Sequence, residues 1–307
     1  MRVVDYFRLL LLAAIWGSSF LFMRIAVPAV GAVNTAFLRV VLGALGLALL
    51  VWGLRVSLRF AGKFRSALAL GVINSGIPFL MYCLAAQWLP AGYSATLNAT
   101  TPLMGAVIGV VAFGEQLTRR KWAGVLLGFL GIAVITTRGE VTLSASLVAG
   151  VLACLLATSC YGLAGFLTRR WILARGGLDP MLVALGSQLG AALFLLPFFG
   201  ATQVLAPVAD WWQWQAWVSL LAVGLLCTAL AYILYFRLIA DIGPLRSLTV
   251  TFLIPPFGVL WGYLVLGEAI SSGYLLGAAV VGVAVWLVVG AKPAASPAAI
   301  RPVDIRR

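Results

Sequence analysis

Residues 94–115 read SATLNATTPLMGAVIGVVAFGE, and residues 247–268 read SLTVTFLIPPFGVLWGYLVLGE. Laid one over the other at a shift of 153, Ser94 falls on Ser247, Thr96 on Thr249 and Pro102 on Pro255. Gly105 meets Gly258, Gly109 meets Gly262, and the pair Gly114-Glu115 meets Gly267-Glu268. The register extends from Gly71–Gly124 over Gly224–Gly277 and carries Tyr82 onto Tyr235. Earlier in each half a shift of 145 applies: Trp16-Gly17 meets Tyr161-Gly162, and Arg24 meets Arg169. The matches sit at helix breakers and loop acids, which a merely apolar composition does not align. The chain reads as a duplication.

The duplicated unit is a membrane unit. Of the 307 residues 63% are hydrophobic and only 9% charged, where a soluble domain is about a quarter charged. An uncharged apolar stretch of about 20 residues spans the hydrocarbon. Ten such stretches are read here: 7–27, 32–53, 66–88, 92–113, 122–137, 146–168, 180–199, 217–236, 245–266 and 274–290. The first is longer than the apolar core of a signal peptide and contains Arg24, so it reads as a retained helix. Five spans in each half is an odd number, so the two halves must insert in opposite senses. Inverted repeats of this kind characterise secondary transporters, with the binding site near the midplane between halves. The expected fold is an all-α membrane protein of ten transmembrane helices in two inverted five-helix repeats, 1–140 and 141–290. Residues 291–307, rich in Pro, Ala and Arg, read as a disordered cytoplasmic tail.

Charge sets orientation. The formal net charge is +13, which in a soluble protein points to nucleic acid. Here the basic residues cluster between apolar runs, as topology signals and lipid-headgroup contacts. With a cytoplasmic N-terminus, 18 of the 21 Lys and Arg residues fall on the cytoplasmic side. Arg138 alone falls on the other side, and Arg24 and Arg39 lie within spans. Both termini are therefore expected in the cytoplasm, and no nucleic-acid partner is expected.

Several chemistries are disfavoured. The chain has no histidine, which removes the HExxH metalloprotease motif. Cys83, Cys154, Cys160 and Cys227 lie in apolar segments without zinc-site spacing. All eight acids lie at span ends, in loops or in the tail, and Lys63, Lys121 and Lys292 lie outside the spans. That argues against an intramembrane aspartyl protease, a multidrug proton antiporter with a central acid, and a lysine Schiff base. No enzyme, metal or cofactor is expected.

Polar side chains within spans usually face protein or water. Ser94, Asn98, Thr101 and Gly105 follow helical spacing and so share one face. Ser247, Thr251 and Gly258 occupy the corresponding face of the other half. Substrate lining is one reading of this stripe and interhelical hydrogen bonding is the other, with Asn98 favouring lining because a buried amide needs several partners. Trp16, Tyr82, Tyr161, Tyr232 and Tyr235 lie deeper than the interfacial tryptophans, as cavity walls or as core. Pro102, Pro255 and Pro256 interrupt their spans near the middle, and Pro78 follows Gly76-Ile77 one turn after Asn74. Each proline frees a carbonyl, available to a substrate ammonium or part of a static kink. Arg24 and Arg39 read as snorkelling cations near the outer ends of their helices, with a second reading in which they hold a carboxylate at the outer mouth.

The string Trp16-Gly17-Ser18-Ser19-Phe20, the Phe37-Leu38-Arg39 run, the Pro102 helix ending in Gly114-Glu115 and their second-half copies resemble the EamA family of the drug/metabolite transporter superfamily. The resemblance covers residues 8 to 290 and is greatest to bacterial amino-acid exporters of the YddG type. It implies ten helices, a central cavity lined mainly by helices 1, 3, 4, 6, 8 and 9, and export of small metabolites across the bacterial inner membrane. One departure is visible: Ala184 stands where the first half has Arg39. The candidate substrate-binding set is Trp16, Ser19, Asn74, Tyr82, Asn98, Thr101, Tyr161, Tyr232, Tyr235 and Thr251, with hinges at Pro78, Pro102, Pro255 and Pro256. A cavity of hydroxyls and amides without fixed charge would suit a zwitterion such as an amino acid, carried by alternating access. A passive channel is the alternative. It lacks support from any filter-like run or charged ring.

Overall fold

A computed structural model describes residues 2–139, 141–208, 211–243, 247 and 249–290, with Phe236 and Ala240 described for the backbone alone. Among the described residues there are helices and no strands. They are α1 Val3–Val30, α2 Ala32–Gly53, α3 Phe64–Gly71, α4 Ile77–Ala85, α5 Ala91–Asn98, α6 Thr101–Phe113 and α7 Arg119–Arg138. In the second half α8 is Ala145–Trp171, α9 Pro180–Leu205, α10 Trp214–Leu221, α11 Ala231–Ile242, α12 Val250–Leu266 and α13 Ser272–Val289. Wide π-helical turns at Val72–Gly76 and Ala222–Leu230 join α3 to α4 and α10 to α11 without a break.

Among the described residues eight continuous helical stretches are long and apolar enough to cross a membrane, and α5 with α6 makes a ninth bent by 42°. The chain is a multi-pass membrane protein. The expected span 245–266 is described as helix only over Val250–Leu266; residues 244–246 and 248 lie outside the described residues, as does the tail 291–307. Leu49, Leu130, Leu152, Leu196, Leu264 and Leu276 are exposed. In water such a surface would aggregate, whereas against acyl chains it costs nothing.

Local chemistry sets the helix ends. Thr118, Ser144, Asp179 and Ser271 accept backbone N–H bonds at the starts of α7, α8, α9 and α13, which satisfies donors that hydrocarbon cannot. Gly114 and Gly267 end α6 and α12 at φ 67° and 64°, a conformation that favours glycine. The following residues repeat the geometry: Glu115 N–H donates to Gly109 O at 2.8 Å and Glu268 N–H to Gly262 O at 3.1 Å.

Elements of the two halves interlock. α1 packs on α12, α2 on α9, α4 on α8, and α7 on α13 in the most extensive pairing. Lipid tails provide no hydrophobic drive between helices, so close backbone approach carries the association. At Gly277 of α13 an added Cβ would stand 2.9 Å from both Gly131 O and Ile135 N of α7. Gly277 thus serves a close contact between two helices of the one chain.

Candidate functional site

Between the interlocked halves lies a cavity of about 320 Å³. Trp16 and Ser19 reach it from α1, Asn74 from the first π-helical turn, and Tyr82 from α4. Asn98 and Thr101 flank the α5–α6 bend, Tyr161 comes from α8, Tyr232 and Tyr235 from α11, and Thr251 from α12. The structure therefore gathers all ten candidate residues around one space. Phe20, Met23, Arg39, Phe79, Cys227, Thr228, Val250 and Ile254 complete the lining.

The walls are pinned by bonds across elements. The Trp16 indole N–H donates to Cys227 O at 3.2 Å, and its ring lies 5.3 Å from that of Tyr235. α1 is thereby fastened to the wide turn before α11. The Tyr82 hydroxyl donates to Asn98 Oδ1 at 2.9 Å, with Phe20 edge-on at 5.3 Å and Tyr161 at 6.3 Å between ring centroids. With Oδ1 engaged, Asn98 retains its amide N–H groups as donors.

The polar stripe and the prolines divide between lining and packing. Ser94 and Ser247 do not line the cavity; both are buried, Ser94 beside Cys154 Sγ at 3.9 Å and Ser247 bonded to Gly243 O at 2.9 Å. For Ser94 the reason is packing: one turn before Asn98, α5 lies against α8, and Cys154 of that helix covers the hydroxyl. Next, the carbonyl that Pro102 leaves without an N–H, that of Asn98, accepts the Thr101 hydroxyl at 2.7 Å. Last, none of the four prolines lines the cavity. Pro102 stands in the first turn of α6, where a missing N–H costs little, and Pro78 directly follows the wide turn Val72–Gly76 inside a continuous helical stretch. Pro255 and Pro256 lie inside α12, which runs on through both.

A larger correction concerns charge. Arg39 does not snorkel. It is 6% exposed and lines the cavity, its guanidinium 3.6 Å from the centroid of the Phe79 ring. Its Nη1 donates to the Met23 thioether at 3.2 Å. The cavity thus holds a fixed positive charge, contrary to the uncharged one expected. Arg24 is less enclosed; it bonds Ala86 O at 2.5 Å and stands 4.0 Å from Glu268. Glu268 also accepts the Ala91 N–H at 2.9 Å, which ties the loop after α12 to the start of α5.

Residues 6–137 and 148–290 each match the model of the EamA-like transporter family. The chain belongs to that family. Its relatives include the threonine/homoserine exporter RhtA of Escherichia coli strain K12, 30% identical over 81% of this chain and 79% of that one. A probable terminal-alkyne amino-acid exporter of Streptantibioticus cattleyicolor is 25% identical over 88% of each, and the uncharacterised transporter YoaV of Bacillus subtilis 23% identical over 86% and 89%. A solved crystal structure shares the fold at a TM-score of 0.62, covering 94% of this chain and 96% of that one at 17% identity. The EamA-like family and these relatives are transporters, not enzymes.

Within this EamA-like chain the wide turns contribute to the cavity. Asn74 sits in one, Cys227 and Thr228 in the other, and π-helical turns gather at functional sites. The shift of 153 superposes them and sets Ser75 on Thr228, a polar pair that could have drawn attention to Thr228.

Proposed function

We propose that this chain is a secondary transporter that exports small metabolites, amino acids among them, across the bacterial inner membrane. The observation that carries the reading is the convergence of side chains from both halves on one mid-chain cavity: Trp16, Tyr82 and Asn98 from the first, Tyr161, Tyr235 and Thr251 from the second. A space of about 320 Å³ is of the size class that takes small organic solutes. Two relatives carry amino-acid export in their names, which supports that substrate class here.

In this reading α12 belongs to the tenth span, and the halves insert as inverted repeats with both termini cytoplasmic. Solute occupies the cavity, held by Asn98, Thr101 and Thr251 with the aromatic walls around it. Alternating access then exposes the cavity to one side at a time. Pro102 is a hinge in this scheme, because the 42° bend beside it joins two short helices through few backbone bonds.

Counterflow in proteoliposomes tests the proposal. Vesicles preloaded with an unlabelled amino acid should accumulate the labelled one, with saturation. Linear, unsaturable flux without trans-stimulation would replace the carrier with a channel.

A further inference from the structure

We propose that Arg39 is the anion anchor of the cavity, holding the carboxylate of the transported solute. The inference rests on the transport reading above and deepens it. Arginine keeps its charge in any protein environment, and an ion removed from water needs an opposite charge or a full set of acceptors. Arg39 has neither. The ion pairs among the described residues are Arg2 with Asp5, Arg2 and Arg8 with Asp241, and Arg24 with Glu268; Arg39 is in none of them. Its protein contacts are the Phe79 ring face and the Met23 thioether, a weak acceptor. The buried Nε has no hydrogen-bond partner.

An unsatisfied donor on a side chain 6% exposed would be a cost without return in a packed core. At the wall of a cavity it is a half-built site. The planar guanidinium matches a carboxylate geometrically. Asn98, whose Oδ1 is taken by Tyr82, adds amide N–H donors to the same cavity. Phe79 beneath the guanidinium holds its plane without neutralising it. Sequence order also favours one anchor rather than two, because Ala184 replaces arginine at the shift-related position of the second half.

The test uses the full chain in phosphatidylcholine vesicles, whose zwitterionic headgroups remove anionic lipid as the occupant. Counterflow of radiolabelled L-threonine, L-alanine, L-leucine and L-phenylalanine is competed by each unlabelled amino acid and by its carboxamide. In the wild type the acid should compete at least about tenfold better than the amide. In Arg39→Gln the acid should lose that advantage, so that acid and amide compete alike. Arg39→Lys, which keeps charge but not the planar fork, should fall between the two. The acid-against-amide comparison in the wild type needs no variant and stands even if Arg39→Gln does not fold. Equal competition by acid and amide in the wild type, as for an inorganic anion bound at Arg39, overturns the inference. So does an undiminished acid preference in Arg39→Gln, and in both cases saturable counterflow leaves the transport reading intact. Absence of saturable counterflow for every solute in the wild type overturns the amino-acid transport reading and this inference with it.

Discussion

At the scale of single residues, the Tyr82–Asn98 bond distinguishes a lining role from plain packing. Tyr82 is 2% exposed, and its hydroxyl donates to Asn98 Oδ1. Tyr82→Phe leaves that oxygen without its donor, a change that costs about 1 kcal/mol of stability. Asn98→Ala should cost a similar amount, with most of its effect on transport because it also removes the N–H donors offered to solute. A double-mutant cycle on unfolding in detergent should then show coupling of about 1 kcal/mol, and additive effects would show that the bond is not formed. Thr101→Val should also weaken transport. It removes the hydroxyl that caps Asn98 O at the bend, so an expressed variant with wild-type rates would show that the cap is dispensable.

Among the elements, backbone proximity decides what each glycine tolerates. Gly277→Ala pushes a methyl against the backbone of α7 and should lower thermal stability in detergent. Gly282→Ala, five residues further along and on another face of the same helix, meets nothing within 4 Å. It should be neutral or stabilising by up to about 1 kcal/mol, since alanine is the better helix former. The order of melting temperatures checks this, and a reversed order would mean that α7 and α13 do not pack as described. The bend is a second test. Pro102→Ala allows an N–H to bond Asn98 O and so stiffens the α5–α6 joint. A hinge there predicts slower turnover with KM little changed; unchanged turnover would move the hinge elsewhere, and a raised KM would make the bend a fixed feature of cavity shape.

For the whole molecule, the prediction concerns orientation. Eighteen basic residues fall on one side of the expected topology and one, Arg138, on the other. A reporter active only in the periplasm should therefore be silent after Arg307, and activity there would invert the topology. A reporter placed after Arg138 should be active.

The helical, membrane-spanning character of this protein was legible in its sequence, because the hydrocarbon demands long uncharged runs and leaves no other signal to interpret. Most of the cavity was legible for a related reason. A polar or aromatic-hydroxyl residue at membrane depth must find a partner, so Asn74, Tyr82, Asn98 and Thr251 marked themselves. What the tertiary structure decided depends on neighbours that a linear pattern does not name. Ser94 and Asn98 look alike in spacing, yet α8 packs over α5 at Ser94, where Cys154 meets it, and leaves Asn98 one turn later on the cavity. The wide turns at Val72–Gly76 and Ala222–Leu230 leave no compositional trace, because they add a residue to a helical turn rather than end the helix. Arg39 is the clearest case. Depth along its helix favours snorkelling outward, but the interlocking of α2 with α9 and α4 closes that path and leaves the guanidinium on Phe79, facing the space where the two halves meet.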